Sequence, residues 1–180
     1  MSKISELIQA LKDKILQREK PEKPKKPLLV DFEKALDFIR PIEGFVSNDP
    51  KDSGKLTIYG ISSKSHKEAV LAMLKLLEVG KKEEAYEIAK NIFYEEYWLK
   101  PGCDKYTFPF NVVIFDTAVN CGGGTASNLL ATYGGDWRDF IIKRMEYYTT
   151  CKTATDHMLG WARRLAKLYY YVKEKGPEDL

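Results

Sequence analysis

Between Gly44 and Ile61 the chain abandons the helical spacing that its hydrophobic residues keep on either side. The stretch VSNDPKDSGKLTIYGIS carries turn punctuation at Asn48-Asp49-Pro50 and again at Ser53-Gly54, followed by a β-prone run from Leu56 to Ile61. It predicts a small β-hairpin. Ahead of it, Phe32, Leu36 and Ile39 share one face of a helix beginning at Leu28. Pro41 and Gly44 mark its stop, so Glu43 falls at a helix C-terminal edge. Behind it, helices are predicted at about 66–79, closed by Gly80, and at about 82–98, 110–120, 124–132, 136–149 and 154–174, with Asp136 as an N-cap. The predicted fold class is α+β and mainly α-helical: a helix ending in a carboxylate, a small hairpin, then a helical bundle, in two lobes with a cleft between them.

At the N-terminus, Ile4, Leu7, Ile8, Leu11 and Ile15 follow an i, i+3, i+4, i+7 pattern, so residues 1–18 hold an amphipathic helix. Prolines interleaved with lysines in REKPEKPKKP make residues 19–27 a linker, which leaves residues 28–176 as one domain. The helix is expected to dock on its own domain or on a second copy. Residues 1–28 hold eight Lys/Arg against four Asp/Glu, while the rest is close to neutral. Such a body lacks the basic face of a nucleic-acid domain, whereas the basic tail suits an anionic polymer such as a cell wall. No run of 18 apolar residues is present, so no integral membrane segment is expected. The opening MSKISELIQALKDKILQ is interrupted by Glu6, Lys12 and Asp13, and so is not a secretion signal.

Three cysteines, Cys103, Cys121 and Cys151, are too few and too widely spaced for a disulfide scaffold or a paired-cysteine zinc site. They read as small buried hydrophobes, with one disulfide left open. His66 and His157 have no ligand-like partner at helical spacing, so no metal and no cofactor is expected.

The chemistry gathers around the break. Asp52 follows Glu43 by nine residues and Thr57 follows Asp52 by five. Glycoside hydrolysis needs one carboxylic acid to protonate the leaving oxygen and a second carboxylate on the opposite face of the sugar. The partial negative charge of a helix C-terminus disfavours ionisation of Glu43, and Ile42 and Phe45 add desolvation, with Arg40 opposing. Asp52, among Asp49, Lys51, Ser53 and Lys55, sits in a polar setting that keeps it ionised, and the Thr57 hydroxyl is placed to help it hold water.

The stretch E-G-F-x-x-N-D-P-x-D-x-G-x-x-T-x-Y-G-I at residues 43–61 resembles the signature of the glycoside hydrolase family 108 muramidases, found in phage endolysins and bacterial secretion-activating proteins. Tyr97-Trp98, F-D-T-A-V-N-C-G at 115–122 and L-G-W-A-R-R at 159–164 resemble that family's later segments in the same order, so the likeness covers roughly residues 29–170. It departs at Phe45 and Lys55, where the family has glycine. The resemblance implies a lysozyme-like fold and peptidoglycan as substrate, with Glu43 as the catalytic acid. The Glu, Asp, Thr order is similar to that of phage-type lysozymes and implies Asp52 and Thr57 as the pair holding the attacking water. It also implies action at the bacterial wall, after release by a membrane-perforating holin or from a virion.

Tyr59, Tyr97 and Trp98 are candidates to stack on sugar rings, with a core role the alternative for Trp98. Asn120 is a candidate partner for an acetamido group, with a helix C-cap as its alternative. Gly122-Gly123-Gly124 reads as a flexible loop, since it lacks the lysine and hydroxyl ending of a phosphate cradle. Trp161, Leu159, Leu165 and Leu168 read as the packed face of the last helix, and Tyr147-Tyr148 as partly buried helix surface. Three functions compete: hydrolysis of the β-1,4 bond between N-acetylmuramic acid and N-acetylglucosamine, a lytic transglycosylase of related fold, and a non-catalytic wall-binding or phage structural module. Asp52 and Thr57 favour the first, because a transglycosylase needs no attacking water.

Overall fold

The computed structural model describes residues 26–43, 46–47, 56–133 and 135–175. The predicted N-terminal helix, most of the linker and Asp52 lie outside them. The described chain is mainly helical, with one small antiparallel sheet.

Helix α1 (Lys26–Glu43) begins two residues before its predicted start and buries Phe32, Ala35, Leu36 and Ile39, one apolar stripe at helical spacing. Pro41 lies in its last turn. A proline there has no N–H to offer the carbonyl one turn back, yet the helix continues two residues further to Glu43.

Three two-residue strands follow: β1 (Val46–Ser47), β2 (Thr57–Ile58) and β3 (Ile61–Ser62), hydrogen-bonded in that order. The expected hairpin is corrected in part: the β-prone run Leu56–Ile61 is not one strand but folds back at Tyr59-Gly60 into β2 and β3, while the turns expected at 48–50 and 53–54 lie outside the described residues. Two residues are too few to show an alternation, so β1 left no pattern to read. Ile58 pairs with Ile61, both fully buried, across a two-residue turn. Ile58 also pairs with Val46, and Thr57 with Ser47.

Helices α2 (Lys67–Glu78) and α3 (Lys82–Ile92) form a pair joined through Gly80, whose φ of +77 is the left-handed conformation that glycine adopts freely. The α3 backbone continues in wider π-helical turns over Phe93–Leu99, and a 3-10 turn follows at Cys103–Lys105. Helix α4 (Phe110–Cys121) is central. Every residue from Phe110 to Ala118 is buried, so it has no solvent face and its polar side chains must find partners inside the protein. Edge-to-face contacts among Phe32, Trp98 and Phe115, with centroids 5.4–5.8 Å apart, lock α1, the π-helical turns and α4 together.

A single residue, Gly122 at φ +89, separates α4 from α5 (Gly123–Tyr133). The expected glycine loop is thus corrected: Gly123 and Gly124 form the first turn of a helix. Helix α6 (Trp137–Thr150) is capped as predicted, the Asp136 carboxylate accepting from the Arg138 amide at 2.7 Å. The long α7 (Ala154–Lys175) buries Leu165, Leu168 and Val172, but Leu159 is 64% exposed and is no part of that face. All three cysteines are free thiols. Among the described residues no helix is long and apolar enough to cross a membrane.

Candidate active site

Glu43 is the last residue of α1, as its position before Gly44 predicts. Strand β1 starts three residues later, and its Ser47 is the backbone partner of Thr57. The register therefore sets Thr57 across from a residue only four beyond Glu43. Thr57 is half-buried in the middle strand, paired on its other side with Ser62. Asp52 belongs to the connection between β1 and β2, outside the described residues.

Tyr59 and Gly60 form the β2–β3 turn with φ values of +50 and +80. Positive φ at both positions is the type I′ geometry whose twist suits a tight hairpin. Gly60 takes it freely, but Tyr59 is the one non-glycine residue with positive φ among those described. Such a conformation costs on the order of 1 kcal/mol and persists only where its surroundings hold it. Here the ring packs edge-to-face on Tyr86 of α3, centroids 5.3 Å apart, and the Tyr59 hydroxyl donates to the Lys82 carbonyl at 3.4 Å.

Tyr86 also ties down the end of α1. Arg40 donates from Nε and Nη2 to the Tyr86 phenol oxygen at 3.2 and 2.9 Å, its guanidinium 4.7 Å from the ring centre. The Tyr86 hydrogen bond raises the Arg40 pKa above its ordinary value, against a smaller lowering by burial. Arg40 is thus engaged with Tyr86 and, at 4.0 Å, with Asp37.

On the other side of α4 lies a buried polar network. Asp116, Thr117 and Arg144 are all fully buried. One Asp116 carboxylate oxygen accepts from Arg144 Nη1 at 2.6 Å, and the other from Arg164 Nε at 2.9 Å, with Arg164 Nη2 2.8 Å away. Burial alone pushes the Asp116 carboxyl up, but the two guanidiniums outweigh it and hold it below the usual carboxylate range. Arg144 also donates to Thr117, to the Tyr148 oxygen and to Asn120. Tyr148 is 1% exposed and its ring stacks on Trp161, centroids 4.6 Å apart at 23°.

This network gathers the later sequence motifs: Asp116 and Asn120 from F-D-T-A-V-N-C-G, Trp161 and Arg164 from L-G-W-A-R-R. Asn120 is not a C-cap, because α4 runs past it to Cys121 and the cap is Gly122. Trp98 is fully buried between Phe32 and Phe115, leaving no ring face for a sugar, so its assignment to substrate stacking is corrected to a core role. Tyr97 is half-buried against Phe93, its carbonyl accepting from the Cys103 thiol at 3.6 Å. Arg144 went unassigned in the sequence, and Tyr148, read there as partly buried helix surface, is corrected to a fully buried member of the network. Their signal was present: Trp137, Phe140, Ile141, Arg144 and Tyr148 share one stripe of α6, and a lone charge on an apolar stripe calls for a buried counter-ion.

The family model for glycosyl hydrolase 108 matches residues 36–122, a span that includes Glu43, Asp52, Thr57, Tyr59, Tyr97 and Asn120. Among solved structures, that of Brucella abortus SagA is similar to this chain with a TM-score of 0.61, at 21% identity, over 78% of this chain and 92% of that one. That likeness is one of fold. No curated protein matches the sequence.

Proposed function

We propose, from the premise that residues 36–122 match the glycosyl hydrolase 108 family model, that this chain is a muramidase, cleaving the β-1,4 bond between N-acetylmuramic acid and N-acetylglucosamine in peptidoglycan. Glu43 is the acid that protonates the leaving glycosidic oxygen. Asp52, with the Thr57 hydroxyl, positions the water that attacks the anomeric carbon from the other face.

The observation that supports this reading most is the continuity of helix end and sheet. Glu43 closes α1, and the register of the next strand sets Thr57 opposite Ser47. An acid at a helix C-terminus and a hydroxyl on the adjoining strand are two of the three groups that general acid catalysis with a held water requires, the carboxylate of Asp52 being the third. The helix dipole favours the protonated acid, and the nearest arginine in sequence, Arg40, is engaged by Tyr86.

Purified peptidoglycan digested by wild type and by Glu43→Gln tests the proposal, with soluble fragments identified by mass spectrometry. Fragments ending in reducing N-acetylmuramic acid are expected, with release slowed by roughly 10²–10⁴-fold in the variant. Anhydro ends would reassign the enzyme as a transglycosylase. No release by wild type from several wall types would leave a binding module.

A further inference from the structure

The buried network around Asn120 has a polarity that can be followed from its cation outward. Arg144 carries five N–H donors and no acceptor. Nε donates to the Tyr148 oxygen at 2.7 Å, Nη1 to Asp116 and Thr117, and Nη2 to Asn120 Oδ1 at 3.1 Å. Since the Tyr148 oxygen accepts from Nε, its own proton is directed to Asn120 Oδ1, 2.5 Å away. The Cys121 thiol stands 3.6 Å from the same oxygen.

An amide oxygen ringed by donors cannot exchange places with its nitrogen, because the flip would set an NH2 group against the guanidinium and the phenol proton. The Asn120 orientation is therefore fixed. Its Nδ2 makes no hydrogen bond among the described residues, and the residue is half-buried at the end of α4. What remains is a group that donates and has no acceptor to spare.

We propose that Arg144 and Tyr148 are positioning residues that present Asn120 Nδ2 as a fixed donor to the carbonyl of an N-acetyl group on the glycan. Trp161, stacked on Tyr148, and Arg164, closing the second oxygen of Asp116, hold the arrangement from α7. The inference rests on the proposed function in one respect, that the polymer bound is an N-acetylated glycan. It adds a specificity: a de-N-acetylated sugar replaces the carbonyl acceptor with an ammonium, which a donor-only group does not pair with.

The test uses the full chain with one wall preparation, before and after chemical N-deacetylation, and compares wild type, Tyr148→Phe and Asn120→Ala. Wild type is expected to favour the acetylated wall. In Asn120→Ala that preference falls to near unity. In Tyr148→Phe, which keeps the ring but removes the proton aimed at Oδ1, it shrinks by roughly three- to tenfold, the size of one hydrogen bond, and appears in KM more than in kcat. A lowered melting temperature in Tyr148→Phe with the preference intact would reduce the network to a structural role and overturn the proposal, as would no preference in wild type. Should wild type degrade neither wall, the hydrolase reading fails, and co-sedimentation with the same two walls decides this one. Preferential binding that Asn120→Ala abolishes would uphold it, and equal binding would overturn it.

Discussion

Around Asn120 the chain is held by a fully buried arginine paired with a fully buried carboxylate; around Tyr59 it is held by a largely exposed arginine lying over a half-buried ring. Both devices fasten a predicted substrate residue to the helix behind it. They differ in what happens when a partner is lost. Removing one member of a buried ion pair strands the other in a medium that cannot solvate it, whereas removing one member of an exposed pair leaves the other to water. The buried device thus fixes orientation without slack, and the exposed one adds little beyond contact. The proposed roles of the anchored groups match this: as a donor to an N-acetyl carbonyl Asn120 needs its amide turned one way, while a ring proposed to stack on sugar needs only to be present.

The sharpest way to break this comparison is Asp116→Asn. The amide keeps the shape but leaves Arg144 and Arg164 without their shared carboxylate, and a loss of about 3–5 kcal/mol is expected. Chemical denaturation monitored by far-UV circular dichroism measures it. A loss below about 1 kcal/mol would mean that the buried network is no tighter than the exposed contact.

Acid probes the same carboxylate without mutation. Its folded pKa is depressed: burial opposes this, but Arg144 and Arg164 prevail. The folded state therefore holds fewer protons than the unfolded chain near and below the unfolded value of about 3.9. The stabilisation is present above that pH and is lost as pH falls through the folded pKa. Thermal melts below about pH 4 should decline more steeply for wild type than for Asp116→Asn. Parallel slopes would show that Asp116 is not the group being titrated.

How much of this was legible in the sequence depended on whether the determinants were local. Glu43 at a helix end needed only Phe32, Leu36, Ile39 and the following glycine, and the Asp136 cap needed only its own neighbours. The presence of a small sheet was readable from the β-prone run Leu56–Ile61, but the turn at Tyr59-Gly60 that splits that run into β2 and β3 was not. Nor was strand β1, because two residues carry no period and only pairing with Thr57–Ile58 makes them a strand. The network was half legible. The motifs flagged the segments of Asp116, Asn120, Trp161 and Arg164, but the residue that joins them, Arg144, lies 28 positions from its carboxylate on another helix. Trp98 and Leu159 failed for a related reason: an aromatic or a leucine at helical spacing declares a face, and only the packing of neighbouring helices decides which face is covered.

The smallest expected effect belongs to the exposed device. Tyr86→Phe keeps the ring that meets Tyr59 edge-on and the cation–π contact with Arg40, but removes the phenol oxygen that accepts both guanidinium bonds. Since the Arg40 side chain is 55% exposed, water replaces that acceptor, and a stability loss under about 1 kcal/mol is expected. Activity on peptidoglycan should fall less than in Tyr148→Phe, because Tyr59 keeps its packing partner. A fall as large as that of Tyr148→Phe, at unchanged stability, would show instead that the Arg40–Tyr86 bond sets the position of the α1 terminus. The exposed side of the site would then orient Glu43 as strictly as the buried side orients Asn120.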